Sequence, residues 1–106
     1  MSKYLKLIEE LKEFGSGKMK VFGNSMLPII KSSTLLTFKK QDEYQIDDIV
    51  FCRVKGRTID AHKITKKSDA GYMIANNKGY ENGWTKQVYA KAILGELKGE
   101  IIYANY

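Results

Sequence analysis

Hydrophobic residues recur at helical spacing in one long stretch, close to the amino terminus. Residues 2–17 read SKYLKLIEELKEFGSG, and glycines at positions 15 and 17 supply a stop signal. The apolar side chains that share one face of this stretch are Tyr4, Leu7, Ile8, Leu11 and Phe14. The spacing predicts one amphipathic helix of about three turns within residues 1–16.

After Gly17 the pattern changes to short β-type runs separated by turn residues. The predicted strands are KMKVFG (18–23), TLLTFK (34–39), DIVFCRVK (48–55), TIDAHKIT (58–65), GYMIAN (71–76), VYAKAILGEL (88–97) and EIIYANY (100–106). KGYENGWTK (78–86), with its two glycines, is interpreted as an exposed loop in which Trp84 either contacts a partner or anchors in the core. The fold class is therefore mainly β, a coiled antiparallel sheet or partly open barrel with one amino-terminal helix.

At 106 residues the chain is expected to form a single domain, with a helix in 1–16 and a β domain in 18–106. Apolar runs are too short for a membrane-spanning helix, and charged residues interrupt the region where a secretory signal would lie. We expect a cytoplasmic protein with no membrane span. The single cysteine, Cys52, cannot form an internal disulfide, which fits a reducing compartment.

The net charge of +6 raises nucleic acid as a partner. The 18 basic residues are spread along the chain, however, and no helix-turn-helix, zinc-finger or aromatic-basic RNA signature is present. A solvated basic surface is the favoured interpretation, and nucleic acid remains a minor alternative. One histidine and one cysteine are too few for a zinc site, so no metal or cofactor is expected.

The segment VFGNSMLPII (21–30) contains a candidate nucleophile, Ser25. A nucleophilic serine needs a tight turn, a nearby base and backbone donors for the oxyanion. Gly23 permits positive φ or a close approach, and the lone histidine, His62, titrates near neutral pH. Lys63 would need desolvation to act as a base, and in a regular strand it faces away from His62. The alternatives are a turn-capping serine and a packed histidine.

Cys52 is a second candidate nucleophile for a histidine base. Its surroundings, IVFCRV, have the character of a core strand, where a free thiol is usually inert.

Several boxes resemble the signal peptidase and LexA-like serine peptidase superfamily in order and spacing. GNSMLP (23–28) is similar to its Gly-x-Ser-Met-x-Pro box, and YQIDDIVFCRV (44–54) to its Gly-Asp-Ile-Val box, with Asp47 where glycine is usual. IDAHKI (59–64) resembles the box that carries the general base. MIANNKGYENG (73–83) resembles an altered Gly-Asp-Asn box, and AILGEL (92–97) the closing glycine strand.

The resemblance implies a fold of the LexA and signal peptidase type and a role for each matching residue. Ser25 would be the nucleophile, and Met26 would shape the adjacent substrate-binding edge. Gly23 and Asn24 belong to the same substrate-binding or oxyanion segment. His62 falls where superfamily members carry a lysine or histidine base, so Ser25 and His62 form the implied catalytic pair.

The residue that orients His62 is left open by the sequence. Histidine-type members use an aspartate from the Gly-Asp-Asn region, where this chain has Ala75, Asn76 and Asn77. Asn76 could hold the ring by a hydrogen bond but could not stabilise imidazolium by charge. Asp60 becomes a candidate if the strand bends, and Glu81 is another.

The resulting function hypothesis is a small soluble serine endopeptidase. Only 24 residues precede Ser25, which leaves no room for the DNA-binding domain of LexA-like proteins, so a peptide or protein substrate is expected in trans. The alternative is a catalytically weak or inactive peptidase-like fold that binds protein or nucleic acid. The altered box around Asn76 favours that alternative, whereas the pairing of Ser25 with His62 favours the peptidase.

Overall fold

The computed structural model describes residues 2–23, 30 and 33–93. Within them one helix is followed by seven strands, joined by antiparallel pairings into one open sheet of order β1-β2-β7-β3-β4-β5-β6. The elements are α1 (Lys3–Phe14), β1 (Ser16–Val21), β2 (Thr34–Lys39), β3 (Ile49–Val54), β4 (Arg57–Ser68), β5 (Gly71–Ala75), β6 (Glu81–Thr85) and β7 (Gln87–Ala92). The prediction of a mainly β fold with an amino-terminal helix is confirmed.

Helix α1 begins and ends at residues suited to those positions. The Ser2 hydroxyl accepts a hydrogen bond from the Leu5 amide, and Gly15 ends the helix at φ 77°. A serine N-cap satisfies one of the free amides of the first turn, and glycine adopts left-handed φ at little cost. No helix in the described residues is both long and apolar enough to cross a membrane.

Gly17 is where α1 meets the sheet. It lies in β1 and not at the end of the helix. A Cβ added to it would come within 2.8 Å of a Leu7 methyl carbon. The helix therefore depends on this glycine to pack closely on β1.

Two apolar clusters cover the two faces of the central strand β3. Ile49 and Phe51 belong to the cluster that includes Leu7 and Leu11 of α1, whereas Val50 and Cys52 belong to the other. Alternate side chains of a strand point to opposite faces. The run IVFC is therefore buried on both sides, as its character predicted.

One difference from the predicted strands bears on the site. The interpretation of 78–86 as a loop was wrong in part, because residues 81–85 form β6 and pair with β5. Trp84 lies on this strand with 38% of its surface exposed. The predicted strand 100–106, and the end of the predicted strand 88–97, fall outside the described residues.

Candidate active site

A cleft of about 340 Å³ opens where α1, the end of β1, β4 and β6 meet. Its wall on β4 runs from residue 57 to residue 62, and α1 contributes Lys3 and Tyr4. Residues 21–23, Ile30 and Asn82 complete its described lining. This space is called the β4 cleft below.

A β-bulge precedes the histidine on this wall. Val50 pairs with His62 and Cys52 pairs with Ile59, so Asp60 and Ala61 together oppose the one residue between Val50 and Cys52. Bulges re-aim side chains next to functional sites. Asp60, within the bulge, and His62, directly after it, both line the β4 cleft.

His62 is held by an amide. Its Nδ1 lies 2.7 Å from Oδ1 of Asn82, and because an amide oxygen can only accept, Nδ1 is the donor. In the neutral ring the proton then sits on Nδ1, and Nε2 has the lone pair that a general base requires.

The protonation of His62 is set mainly by its burial. Desolvation lowers the pKa of His62 below its usual value of 6.5, since a buried imidazolium loses its hydration. The hydrogen bond that His62 donates to Asn82 and the charge of Asp60 oppose this change, and the nearby charge of Arg57 adds to it. The ring is therefore mostly neutral at pH 7 and able to accept a proton.

Asp60 is bound by the helix. Its Oδ1 accepts a hydrogen bond of 2.6 Å from the Tyr4 hydroxyl, and its Oδ2 lies 2.8 Å from the Lys3 ammonium. Burial and the neighbouring carboxylate raise the pKa of Tyr4 to about 12, so Tyr4 remains a donor. Asp60 influences His62 by its charge, while both of its carboxylate oxygens contact α1.

The segment that contains the candidate nucleophile starts and ends at the cleft. Gly23 has φ 102°, a conformation that disfavours any side chain, and it lines the β4 cleft together with Ile30. Asn24, Ser25 and Met26 lie outside the described residues. The placement of the serine and of its proposed substrate-binding neighbours therefore stays a prediction.

A family model described as Peptidase S24-like matches residues 2–97 of the chain. The chain belongs to the Peptidase S24-like family. The match spans the helix, every described strand and both members of the proposed Ser25–His62 pair. A search of curated proteins and a search of solved structures gave no significant match.

In this S24-like chain the other predicted orienting residues have different contacts. Asn76 Oδ1 accepts hydrogen bonds from the amides of Lys78 and Tyr80 and so closes the turn between β5 and β6. Glu81 forms an exposed ion pair with Lys66 at 3.4 Å. Asn82 is the residue that sequence reasoning missed, because it lies on β6, the strand interpreted as a loop.

Lys63 pairs with Ile49 on β3 and with Ala75 on β5, and it is not part of the described lining of the cleft. His62 is thus the residue of this neighbouring pair that faces the cleft. The outcome agrees with the expectation that the two side chains diverge.

Asp47 takes φ 79°, the left-handed conformation that favours glycine. This is the position where the superfamily box usually has glycine. An aspartate tolerates such a conformation better than most residues, which explains how the turn before β3 is kept.

Cys52 is fully buried, and burial raises the pKa of its thiol to about 12. A thiol that stays protonated is a poor nucleophile, so Cys52 is a core residue of β3. Within the described parts of the chain, no three histidine, cysteine or acidic side chains cluster closely enough to hold a metal ion.

Proposed function

We propose that the chain is a serine endopeptidase in which Ser25 is the nucleophile and His62 is the general base. The supporting observation is that the β4 cleft brings His62 together with both flanks of the segment that contains Ser25. Gly23 and Ile30, on either side of 24–29, line the cleft with His62. Two residues of chain span at most about 7 Å, so the proposal requires only a short reach from Gly23 to the serine.

In the proposed reaction, His62 Nε2 takes the hydroxyl proton as Ser25 Oγ bonds to the peptide carbonyl carbon. The proton passes to the leaving amine as the carbon–nitrogen bond breaks. Water, deprotonated by the same nitrogen, then cleaves the resulting ester and restores Ser25 with release of a carboxylic acid. Backbone amides next to Ser25 would stabilise the oxyanion, since Gly23 offers no side-chain donor.

Asn82 has a defined part in this scheme. Its Oδ1, 2.7 Å from His62 Nδ1, keeps the proton on Nδ1 and leaves Nε2 to act as the base. An amide fixes the tautomer and the ring orientation, but it does not offset the positive charge that develops on the ring. We therefore propose slower catalysis than a carboxylate partner would allow.

An extended peptide supplied in trans is the proposed substrate. In the described residues β1 pairs only with β2. Side chains of α1 already bond main-chain groups of β1, since the Lys18 amide donates to Glu10 and the Lys20 carbonyl accepts from Lys3. β1 ends at Val21, which lines the β4 cleft. We propose that the peptide lies extended in the β4 cleft beyond the end of β1, where main-chain hydrogen bonds would supply affinity.

Cleavage of a proteome-derived peptide library, followed by mass spectrometry of the new termini, tests the proposal. Wild type is expected to produce cleavages that are absent with Ser25→Ala and strongly reduced with His62→Ala. A Ser68→Ala variant is the matched control, because Ser68 lies at the far end of β4 and outside the described cleft lining. Peptides that bind but are never cleaved, or cleavages shared by all variants, would overturn the proposal.

A further inference from the structure

Lys3 contacts both strands that lead to the proposed catalytic pair. Its ammonium lies 2.8 Å from Asp60 Oδ2 on β4 and donates a 3.1 Å hydrogen bond to the Lys20 carbonyl on β1. The same nitrogen lies 4.8 Å from the ring centre of Phe22. Phe22 immediately precedes Gly23, and Asp60 is two residues before His62.

Tyr4 strengthens the β4 side of this connection. Its hydroxyl donates to Asp60 Oδ1 at 2.6 Å, so α1 supplies a donor to each oxygen of the carboxylate. The Tyr4 ring stacks on Phe51 of β3 at 6.0 Å between ring centres. Because the side chain of Asp60 is only 18% exposed, water screens its ion pair with Lys3 less than it would a surface pair.

We propose that Lys3 is a positioning residue whose ammonium fixes the separation between the chain leading to Ser25 and the strand carrying His62. The inference rests on the proposed function, since it concerns the geometry of that pair. A single cation that contacts a main-chain carbonyl, an aromatic ring and a carboxylate restrains all three groups at once. Proton transfer between serine and histidine needs hydrogen-bond distance, so a small change in separation is costly.

The ammonium also has an electrostatic effect that can be measured without activity. The charge of Asp60 raises the pKa of His62. We expect the Lys3 ammonium, 2.8 Å from Asp60, to offset part of that influence, because its charge is opposite to that of the carboxylate. Among the described residues that line the cleft, the charged or titratable groups besides His62 are Lys3 and Tyr4 from α1, and Arg57 and Asp60 from β4. Glu81, next to Asn82 on β6, is paired with Lys66. Removal of the Lys3 charge is therefore expected to raise the pKa of His62.

Lys3→Met tests the inference, because it keeps an unbranched apolar stem and removes the ammonium. Lys3→Arg restores a cation, and Tyr4→Phe removes only the hydroxyl. Lys6→Met, at an exposed position of α1, is the control for loss of one positive charge. The readouts are the pKa of His62 by NMR, which is unambiguous with one histidine, and the rate of fluorophosphonate addition to Ser25. Circular dichroism reports whether the helix is retained.

The expected result for Lys3→Met is a raised pKa of His62 and a labelling rate at neutral pH lower by roughly tenfold or more. Lys3→Arg should recover most of the labelling rate, and Lys6→Met should label at the wild-type rate. The rate of Tyr4→Phe should lie between those of wild type and Lys3→Met. An unchanged pKa in Lys3→Met overturns the inference whether or not the wild type labels. The inference is also overturned if Lys3→Arg loses as much of the labelling rate as Lys3→Met, or if the rate falls only because the helix unfolds. A wild type that fails to label overturns the proposed function instead.

Discussion

His62 Nδ1 and Asn82 Oδ1 are 2.7 Å apart, so the ring of the candidate base is oriented by a neutral amide on β6. The amide fixes the ring, whereas a carboxylate would also stabilise its protonated form. A substitution of Asn82 is therefore expected to change how well the protonated form of His62 is stabilised.

Asn82→Asp is expected to raise the pKa of His62 and to increase the rate of fluorophosphonate labelling at pH 8 by about tenfold or more. Asn82→Leu should lower the rate, because the ring loses its hydrogen-bond partner. Labelling rates followed by intact mass across about pH 5 to about pH 9 provide the comparison. Gln87→Glu adds the same charge at an exposed position of β7 and should leave the rate unchanged. A rate for Asn82→Asp no higher than that of Gln87→Glu would count against the proposed orienting role.

The acid limb of the labelling rate is expected below pH 6.5, because burial lowers the pKa of His62 in the folded protein. Arg57→Gln should move this limb upward, since the Arg57 charge contributes to the lowered pKa. An NMR titration of the single histidine gives the pKa independently. The pH midpoint of the labelling rate and the NMR midpoint of His62 should agree. If Arg57→Gln shifts the NMR midpoint but leaves the pH dependence of labelling unchanged, another group controls labelling.

Folding stability should depend on His62 in the same pH range. Its folded pKa is lowered, so the unfolded chain binds the proton first as pH falls. The free energy of unfolding therefore has the full contribution of the neutral ring above pH 6.5 and loses it as pH falls through the folded pKa. Urea midpoints between about pH 7.5 and about pH 5.5 should decline in wild type and decline less in His62→Gln. An equal decline in both proteins would refute this assignment.

Gly23→Ala is expected to cost about 1 kcal/mol or more of stability, because φ 102° is unfavourable for alanine. It should also reduce labelling of Ser25, since the strain lies at the entrance to that segment. Gly79→Ala is the matched control: its φ is 95°, and the space around an added Cβ is open at both positions. Similar stability losses with a labelling loss confined to Gly23→Ala are predicted. Equal labelling in the two variants would remove Gly23 from the site.

Cys52 should be inert to thiol reagents in the folded protein at pH 8 and react after denaturation, because burial raises the pKa of its thiol to about 12. Cys52→Ala should cost about 1 to 2 kcal/mol of stability and keep labelling at Ser25. Denaturant titration and intact mass measure the two effects. Loss of labelling from a folded Cys52→Ala protein would instead place the thiol in the chemistry.

Local signals in the sequence were sufficient for the helix and for most of the sheet. The spacing of Leu7 and Leu11 marks the buried face of α1, and a serine and a glycine mark its ends. The burial of β3 on both faces follows from a continuous apolar run with an apolar cluster on each side. These features depend on neighbours within a few residues, which is why pattern alone predicted them.

The orienting residue could not be found in that way. Asn82 reaches His62 across two successive antiparallel pairings, β4 with β5 and β5 with β6, although the two residues are 20 positions apart in sequence. Gly83 and the polar residues around it resemble a turn, but the close Lys55 and Val54 side chains show why a small residue fits there. The engagement of Asp60 by Lys3 likewise spans 57 positions of sequence. Both contacts follow from the tertiary fold.

Intact-mass measurement of fluorophosphonate labelling tests the central claim most directly. Wild type, Ser25→Ala, His62→Ala and Ser68→Ala would be treated side by side across about pH 5 to about pH 9. The proposed pair predicts one adduct on wild type and on Ser68→Ala, none on Ser25→Ala and a sharply slower reaction with His62→Ala. Wild-type labelling no faster than that of Ser25→Ala, even where His62 is fully neutral, would contradict an activated serine in this chain.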